Sequence, residues 1–241
     1  EFNGEGMNSK TLNELIEYHQ DKIRNTHSSG SIRNFKASEK YIKEYVLQRL
    51  STSDIYLSQL DYKFLSDFEA FLFNYYPKGH YKAMSHNTVM KHIQRLRKMV
   101  TLAFHLEWLD KDPFRRWKMT FEKREREFLS KNELSNLQHA EIPIDRLDRI
   151  RDLFIFSCYT GLSYSDLMKL SEEEISIGID GKAWIITTRN KTNNALKVPL
   201  LEPVLGILKK YEDHPITQAT GKLLPECSNQ KVNLYLKELA M

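Results

Sequence analysis

Apolar residues recur at every third or fourth position through the first half of the chain, which is the spacing of an amphipathic helix. The clearest predicted helix, 87–109, has an apolar face formed by Val89, Ile93, Leu96, Val100 and Ala103. The same spacing predicts helices at 11–24, at 62–76 and, with Ser31 as N-cap, at 31–49. In the aromatic-rich segment 62–76, this spacing is followed by Phe64, Phe68, Phe71 and Tyr75, so we interpret the aromatic residues as core packing rather than as a base-stacking surface. The first half is therefore predicted to be a domain of four helices.

The second half mixes helices with short strands. A capping box at Ser130–Glu133 predicts a helix at 131–139, and further helices are predicted at 145–159, 164–170, 202–211 and 228–240. Three short strands are predicted at 175–177, 183–187 and 196–200, with the hairpin-turn dipeptide Asp180–Gly181 between the first two. The predicted fold class is therefore mainly α, with one small three-stranded antiparallel sheet.

A basic segment without a regular period separates the two halves. Asp112–Pro113 stops the helix 87–109, because proline disfavours helical backbone at the residue before it. Residues 115–128 follow with no clean hydrophobic period and are predicted to be extended. We therefore predict a helical domain at 8–117, a linker at 118–127 and a second domain at 128–241.

Composition excludes several classes of protein. The chain is 41% hydrophobic and 28% charged, as in a soluble globular protein, and it lacks the run of about 18 apolar residues that a membrane span needs. Its two cysteines, Cys158 and Cys227, lie far apart, which indicates a reduced protein without a disulfide framework or a zinc site. We predict no metal and no cofactor. The N-terminus shows no signal peptide and no initiating methionine, so Glu1–Gly6 are either a cloning remnant or part of a longer chain.

Positive charge is concentrated in one region. The net charge is +4, but residues 85–126 hold eleven Lys and Arg against five Asp and Glu. Such a local excess is expected where a face meets a polyanion, although a solvated surface can have the same composition. On the second predicted helix, one face carries Arg33, Lys36 and Lys40 at three- and four-residue spacing. On the fourth, a similar row is formed by Lys91, Arg95 and Lys98, with His92 and Arg97 beside it. The residues predicted to contact DNA, mostly through phosphates, are Arg33, Lys36, Lys40, Asn87, Thr88, Lys91, Arg95, Lys98, Arg115 and Arg116.

The stretch Phe154–Leu170, FIFSCYTGLSYSDLMKL, combines an apolar run with a turn and a second helix start. Gly161 can take the positive φ that ends a helix, and Ser163 with Asp166 three residues later is a capping pattern. Taken alone, these residues favour an ordinary buried helix–turn–helix corner. Two predicted strands downstream change this interpretation, because they flank the segment RNKTNNA with Lys191 in the turn.

This pair of features resembles the tyrosine recombinase (phage integrase) family. In that family a helix pair carrying TGLR-x-S-E/D-L precedes a three-stranded sheet, whose second turn holds a lysine, often within KT, and whose next strand ends in VPL. The chain has TGLSYSDL at 160–167, NKT at 190–192 and KVPL at 197–200. The resemblance covers nearly the whole chain. It implies a helical SAM-like core-binding domain followed by the N-terminal part of an α+β catalytic domain with a small three-stranded antiparallel sheet.

The resemblance implies breakage and rejoining of duplex DNA through a 3′-phosphotyrosyl intermediate, in DNA integration and recombination. The two matching catalytic positions are Lys191, which would protonate the leaving 5′ oxygen, and Ser163, where the family has its first arginine. No suitable His-x-x-Arg motif follows Lys191, and Tyr211 and Tyr235 precede the place of the nucleophile, so we interpret both tyrosines as structural. We therefore expect that the chain is truncated before these elements and that alone it binds DNA without cutting it.

The resemblance also implies partners and a compartment: double-stranded DNA, self-association on DNA as a tetrameric synapse, no membrane, and the cytoplasm of a bacterium. Ser163 leaves two interpretations open. The chain is either a fragment of an active recombinase, with Arg151 or Arg189 partly replacing the lost charge, or a catalytically inactive DNA-binding relative. A third interpretation is a helical interaction protein whose basic surface is incidental. Salt-dependent binding to duplex DNA would distinguish it from the other two.

Overall fold

The computed structural model describes residues 10–240 as two compact units that divide between Glu125 and Arg126. This division falls inside the segment predicted as a linker. The first unit is helical, and a 3₁₀ turn at Pro113–Arg116 follows its last helix. Its helices are α1 (Leu12–Arg24), α2 (Ser29–Leu50), α3 (Tyr62–Phe73) and α4 (His86–His105).

The second unit, within the described residues, combines six helices with one small sheet. The strands are β1 (Ile175–Ile177), β2 (Ala183–Thr188) and β3 (Ala195–Pro199), paired antiparallel in the order β1-β2-β3. Ile185 is the centre of the sheet, because it pairs with Ile175 on one side and with Val198 on the other. The helices are α5 (Lys131–His139), α6 (Asp145–Thr160), α7 (Tyr164–Leu167), α8 (Glu202–Tyr211), α9 (Pro215–Thr220) and α10 (Asn229–Leu239).

The core of the first unit lies where the predicted apolar and aromatic positions are. All five predicted core positions of α4 are fully buried, and so is Phe68 of α3. The Tyr45 ring of α2 lies 5.2 to 5.4 Å from the rings of Phe64, Phe68 and Phe71, distances at which aromatic rings interact favourably. The prediction that the aromatic residues of 62–76 form core rather than a base-stacking surface is therefore confirmed for these rings.

The core of the second unit packs α6 and α8 against the sheet and includes Phe156, Ile185 and Val204. Beside it, α6 and α8 share a cluster of ionised side chains. The buried Asp152 accepts hydrogen bonds from Arg151, from Lys210 at 2.6 Å and from the Tyr211 hydroxyl at 2.8 Å. A buried charge is tolerated only when it is paired and hydrogen-bonded, so this cluster ties the two helices together.

Several predicted boundaries were wrong. The N-cap of α2 is Ser28 rather than Ser31, because the Ser28 side chain accepts a hydrogen bond from the Ser31 backbone N–H. Helix α4 ends at His105, well before Pro113, and the chain then reverses through Glu107 at φ 58°. Helix α9 was not predicted at all. Cys158 lies in the apolar run that begins at Phe154, yet its side chain is exposed.

The segment after α4 is more ordered than an extended linker from residue 115 would be. Phe114 and Trp117 are both buried in the first core, on either side of the exposed Arg115 and Arg116. The two buried rings therefore hold the 3₁₀ turn against the helices. None of the helices between residues 10 and 240 has the length and hydropathy of a membrane span.

Candidate nucleic-acid interface

Helix α4 carries a row of cations, Lys91, Arg95 and Lys98, away from its buried stripe. Two of these side chains, Arg95 and Lys98, contact α2. Arg95 Nη1 donates a hydrogen bond to Ser38 Oγ at 3.3 Å, and Lys98 Nζ lies 5.9 Å from the centre of the Phe35 ring. Ser38 and Phe35 are buried residues of α2. The cationic row of α4 therefore runs along its junction with α2, where α2 places Arg33 and Lys36 within one turn of Phe35.

His92 lies beneath this row rather than in it, which corrects the prediction that it sits beside Lys91 and Arg95 on the surface. Only 6% of His92 is exposed, and its Nδ1 lies 2.8 Å from Ser38 Oγ. Burial, assisted by the charge of Arg95, lowers the pKa of His92 from 6.5 to about 4. The imidazole is therefore neutral at pH 7, and it can share a hydrogen bond with the serine that holds Arg95.

The predicted DNA-contacting residues of α2 and α4 differ in how free their charges are. Arg33, Lys36, Lys91 and Lys98 are exposed, and none of them pairs with a carboxylate in the part of the chain that the structure describes. Lys40 is also exposed, but its Nζ lies 3.7 Å from Glu44 Oε1, so part of its charge is already neutralised. Arg95 is half-buried.

Asn87 has a structural use that the sequence did not reveal. Its side-chain amide donates to the Glu122 carbonyl at 2.9 Å and accepts from the Glu122 N–H at 2.9 Å. Its two hydrogen-bonding ends are thus engaged, and Asn87 fastens the following segment to the start of α4. Nearby, His86 Nε2 contacts Thr120, while Thr88 is exposed with its hydroxyl 2.9 Å from Ser85 Oγ.

Arg115 and Arg116 lie at the other end of α4. They line an open groove together with Phe104 and Trp108, which belong to the C-terminal end of that helix and the turn after it. The groove is separate in sequence and in place from the start of α4, where Asn87 and Lys91 lie. The structure therefore does not bring Arg115 and Arg116 into the row formed by Lys91 and Lys98.

In the second unit a single carboxylate joins the two motif segments. Gly161 has φ 65° and ends α6, as predicted, and Ser163 is the N-cap of α7. Asp166 Oδ2 accepts a hydrogen bond from Ser163 Oγ at 2.7 Å, and its Oδ1 accepts one from the Asn190 backbone N–H at 2.8 Å. Asn190 begins the β2–β3 turn, so Asp166 links the cap of α7 to the hairpin that carries Lys191.

Asp166 stays ionised in this position despite being buried. Burial alone would raise the pKa of Asp166, but the hydrogen bonds from Asn190 and Ser163 and the charge of Lys169 outweigh it and hold the pKa below its usual value. Lys169 also donates to the Thr188 carbonyl at the end of β2. Two side chains from the α7 region thus fix the base of the hairpin.

Lys191 lies at the exposed tip of this hairpin. The turn is closed by a hydrogen bond from the Arg189 N–H to the Asn194 carbonyl and by one from the Asn193 N–H to the Arg189 carbonyl, each 2.8 Å long. Asn193 has φ 55°, a conformation that asparagine tolerates better than most residues. The exposed lysine is therefore carried on a turn whose backbone is held by hydrogen bonds.

Neither Arg151 nor the two tyrosines take part in this region. The guanidinium of Arg151 is buried against Asp148, Asp152 and the Ala140 carbonyl, which corrects the suggestion that it could supply a charge near Ser163. Tyr211 is buried beside Asp152, in agreement with a structural role.

The guanidinium carbon of Arg146 lies 4.7 Å from the centre of the Tyr235 ring. Arg189 is exposed beside the hairpin turn. Over residues 10–240, no group of His, Cys, Asp and Glu side chains could hold a metal ion.

Sequence reasoning placed Ser163 and Lys191 in separate motifs but missed the residue that joins them. Asp166 was predicted only as part of a helix cap, and its bond to Asn190 spans 24 residues. The clue was present in the capping pattern itself, because a carboxylate that accepts from a cap serine has a second oxygen to use.

Comparison with known proteins agrees with this architecture. Residues 11–123 match the family model of the phage integrase SAM-like domain, and no curated protein sequence matches the chain. Among solved structures, the chain is similar to a lambda integrase dimer bound to a COC′ core site, with TM-score 0.70, 14% identity, and coverage of 96% of this chain and 63% of that one.

Two further recombinases share the fold. The Tn1549 transposon integrase in complex with a circular intermediate DNA gives TM-score 0.57 at 15% identity, over 83% of this chain and 65% of that one. The XerH site-specific recombinase bound to its difH substrate gives 0.55 at 18% identity, over 89% and 60%. The chain thus spans less than two thirds of the length of each of these proteins. The predicted fold class is confirmed: residues 11–123 match the phage integrase SAM-like domain, and the chain has the fold of these solved recombinases.

Proposed function

We propose that the chain is the DNA-binding part of a site-specific tyrosine recombinase of a bacterial mobile element, acting on duplex DNA inside the cell. The observation that carries this proposal is the set of four cations, Arg33, Lys36, Lys91 and Lys98, on two helices that contact each other. Each is exposed and has no carboxylate partner among the described residues. In a phage integrase SAM-like domain, such a face fits the phosphates of a duplex.

The second unit would supply the region around the reacting phosphate. Lys191, on the hairpin that Asp166 holds, can donate a proton to the leaving 5′ oxygen, since an ammonium on a long side chain reaches beyond the turn. Ser163 can donate a hydrogen bond to a non-bridging oxygen but brings no charge. Two arginines would normally clamp that oxygen's developing charge, so we expect weak transition-state stabilisation at this position.

Self-association on DNA is suggested by the assemblies of a similar protein. Lambda integrase has been solved as a dimer on a core site and as a tetramer on a Holliday junction. We propose that this chain binds as more than one copy on a recombination site, and sedimentation of the chain with duplexes of increasing length would measure the stoichiometry. A single copy on every duplex tested would contradict this part of the proposal.

The binding proposal is tested by a salt titration of affinity for a generic duplex. Each phosphate contact contributes about 0.9 to the slope of log K against log salt. The double variant Lys91→Ala/Lys98→Ala should flatten the slope by about 1.8. The matched control Lys63→Ala/Lys209→Ala removes the same charge, from a lysine that pairs with Asp67 and from one that lines a groove with Glu172 and Glu173, and should leave the slope unchanged. A slope left unchanged by Lys91→Ala/Lys98→Ala would mean that the face formed by Arg33, Lys36, Lys91 and Lys98 (the α2–α4 face) is solvated and does not contact phosphates.

The proposal also predicts what Lys191 does when a nucleophilic tyrosine is supplied. Lys191→Ala should slow strand cleavage far more than it weakens binding, because a general acid acts only in the transition state. A substrate with sulfur at the 5′ bridging position should largely restore cleavage, since the thiolate leaves without a proton. The same defect on both substrates would exclude Lys191 as the acid, and intact DNA under all conditions would favour a catalytically inactive relative.

A further inference from the structure

The loop between α3 and α4 is the most cationic of the connections between helices α1 to α4. No acidic residue occurs between Glu69 and Glu107, whereas the loop carries Lys78 and Lys82. Between these lysines lies Tyr81, whose side chain is 100% exposed. An aromatic ring flanked by free cations is the combination that proteins use to contact nucleic acid.

The loop holds a defined shape without any partner. Gly79, at φ 81°, allows a tight turn in which the His80 N–H donates to the Pro77 carbonyl at 2.9 Å. At the other end the Met84 N–H donates to the Tyr75 carbonyl, and the Met84 side chain is buried in the core. Both ends of the loop are therefore fixed, so a ligand would not have to order the backbone in order to bind.

The loop adjoins both helices of the α2–α4 face, because the Tyr75 ring at its start lies 5.1 Å from the Tyr41 ring of α2. It leads through Ser85, the N-cap, directly into α4, and Lys91 lies about 7.5 Å along the helix axis from His86, at 1.5 Å per residue. The major groove of DNA is about 12 Å wide. A duplex that meets Lys91 and Lys98 would therefore have a strand backbone within reach of the residues that precede α4.

We propose that the α3–α4 loop is a second contact to the DNA backbone. Lys78 and Lys82 contact phosphates, and the Tyr81 ring packs on the sugar between them while its hydroxyl donates to a phosphate oxygen. The contact is independent of base sequence, because neither group reads a base edge. This inference rests on the proposed DNA-binding function and adds a second part to its site.

Salt titration separates the charges of the loop from its ring. Lys78→Ala/Lys82→Ala should flatten the slope of log K against log salt by about 1.8, while the control Lys63→Ala/Lys209→Ala leaves it unchanged. Tyr81→Ala should weaken binding about 10-fold or more at constant slope, because it removes a hydrogen bond to a charged group but no cation. Tyr81→Phe should show most of the loss of affinity expected for Tyr81→Ala, because it removes the same hydroxyl. If all three variants keep the slope and the affinity of the unmodified chain, the proposal is overturned.

Photo-crosslinking reports proximity directly and does not depend on affinity. p-Benzoyl-phenylalanine at Tyr81 should crosslink to a labelled duplex, and the same probe at Tyr56, an exposed tyrosine on the connection before α3, should not. A probe at Gln94, on the exposed side of α4, serves as the positive control. Crosslinks from Gln94 without any from Tyr81 would refute the loop contact alone. No crosslink from either position, with no salt-dependent binding, would refute the proposed function itself.

Discussion

Two buried histidines should make the first unit lose stability as the pH falls from 7 to 5. His19 and His92 are 5% and 6% exposed. Burial lowers the pKa of each from 6.5 to about 4, and the effect is increased at His19 by His27, Lys98 and Lys22 and at His92 by Arg95. The folded domain therefore keeps both imidazoles neutral at a pH where the unfolded chain binds a proton on each.

The direction and the size of this loss of stability follow from proton linkage. Between pH 6.5 and pH 4 the unfolded chain binds more protons than the folded one, so acid favours unfolding. For a pKa of 6.5 unfolded and about 4 folded, moving from pH 7 to pH 5 costs about 2 kcal/mol per histidine. That is a large part of the stability of an ordinary domain.

His19→Phe isolates one of the two contributions. Among the described residues, His19 Nδ1 is buried without a hydrogen-bond partner, and its ring lies 4.6 Å from the Phe35 ring. Replacing it with phenylalanine should therefore leave the free energy of unfolding at pH 7 equal or higher, because no hydrogen bond at Nδ1 is lost. The loss of stability between pH 7 and pH 5 should become smaller by about 2 kcal/mol.

The assay is urea unfolding of the full chain at pH 7, 6 and 5, followed by tryptophan fluorescence. A Trp184→Phe background leaves Trp108 and Trp117 as reporters of the first unit alone. Burial raises the pKa of Glu39, which acts in the opposite direction, but its contribution is common to both proteins and cancels in the difference. His105→Phe, at an exposed histidine of α4, is the control. The same pH-dependent loss in His19→Phe as in the parent would refute the reasoning.

Three further predictions concern the polar contacts that fix the two units. Asp152→Ala should cost about 3 kcal/mol in chemical denaturation, because it removes one of the two carboxylates that pair with the buried Arg151 and leaves the buried Tyr211 hydroxyl without its acceptor; a cost below 1 kcal/mol would contradict this. Asn87→Ala should raise hydrogen exchange around Glu122 without changing exchange in the α4 core. Asp166→Ala should speed exchange of the Asn190 amide, and in the parent chain this bond should persist until the pH falls below 3.8, because the pKa of Asp166 is lowered.

The parts of the fold that the sequence predicted well are those set by neighbouring residues. The apolar stripe of α4 repeats within one helix, and the Ser130–Glu133 capping box closes within one turn, so both are visible in a short window. The start of α2 was misplaced for the same reason. Ser28 and Ser31 are both good caps in isolation, and the structure uses Ser28 with Ser31 as the donor of the capping bond.

The parts that were missed depend on which elements meet in space. His92 lies one residue from Lys91, and nothing in the spacing says that α2 covers it; the contact with Ser38 spans 54 residues. The side-chain amide of Asn87 was predicted to contact DNA, but it is hydrogen-bonded to the backbone of Glu122, 35 residues away. Nothing in the local sequence indicates that contact. Helical periodicity assigns a residue to a face of its own helix, but it does not identify the neighbour of that face.

The buried His92 explains how a cationic surface can also be a rigid one. A charged imidazole beneath Arg95 would repel the guanidinium, whereas the neutral ring that burial maintains shares a hydrogen bond with Ser38, which in turn accepts from Arg95. Lys91 is exposed and Lys98 touches α2 only at the face of the Phe35 ring, whereas Arg95 is half-buried and hydrogen-bonded to Ser38. Charge from exposed lysines and orientation from one hydrogen-bonded arginine are separable properties. Under the proposed function, the lysines would therefore contribute affinity for phosphates and Arg95 would fix the orientation of the duplex.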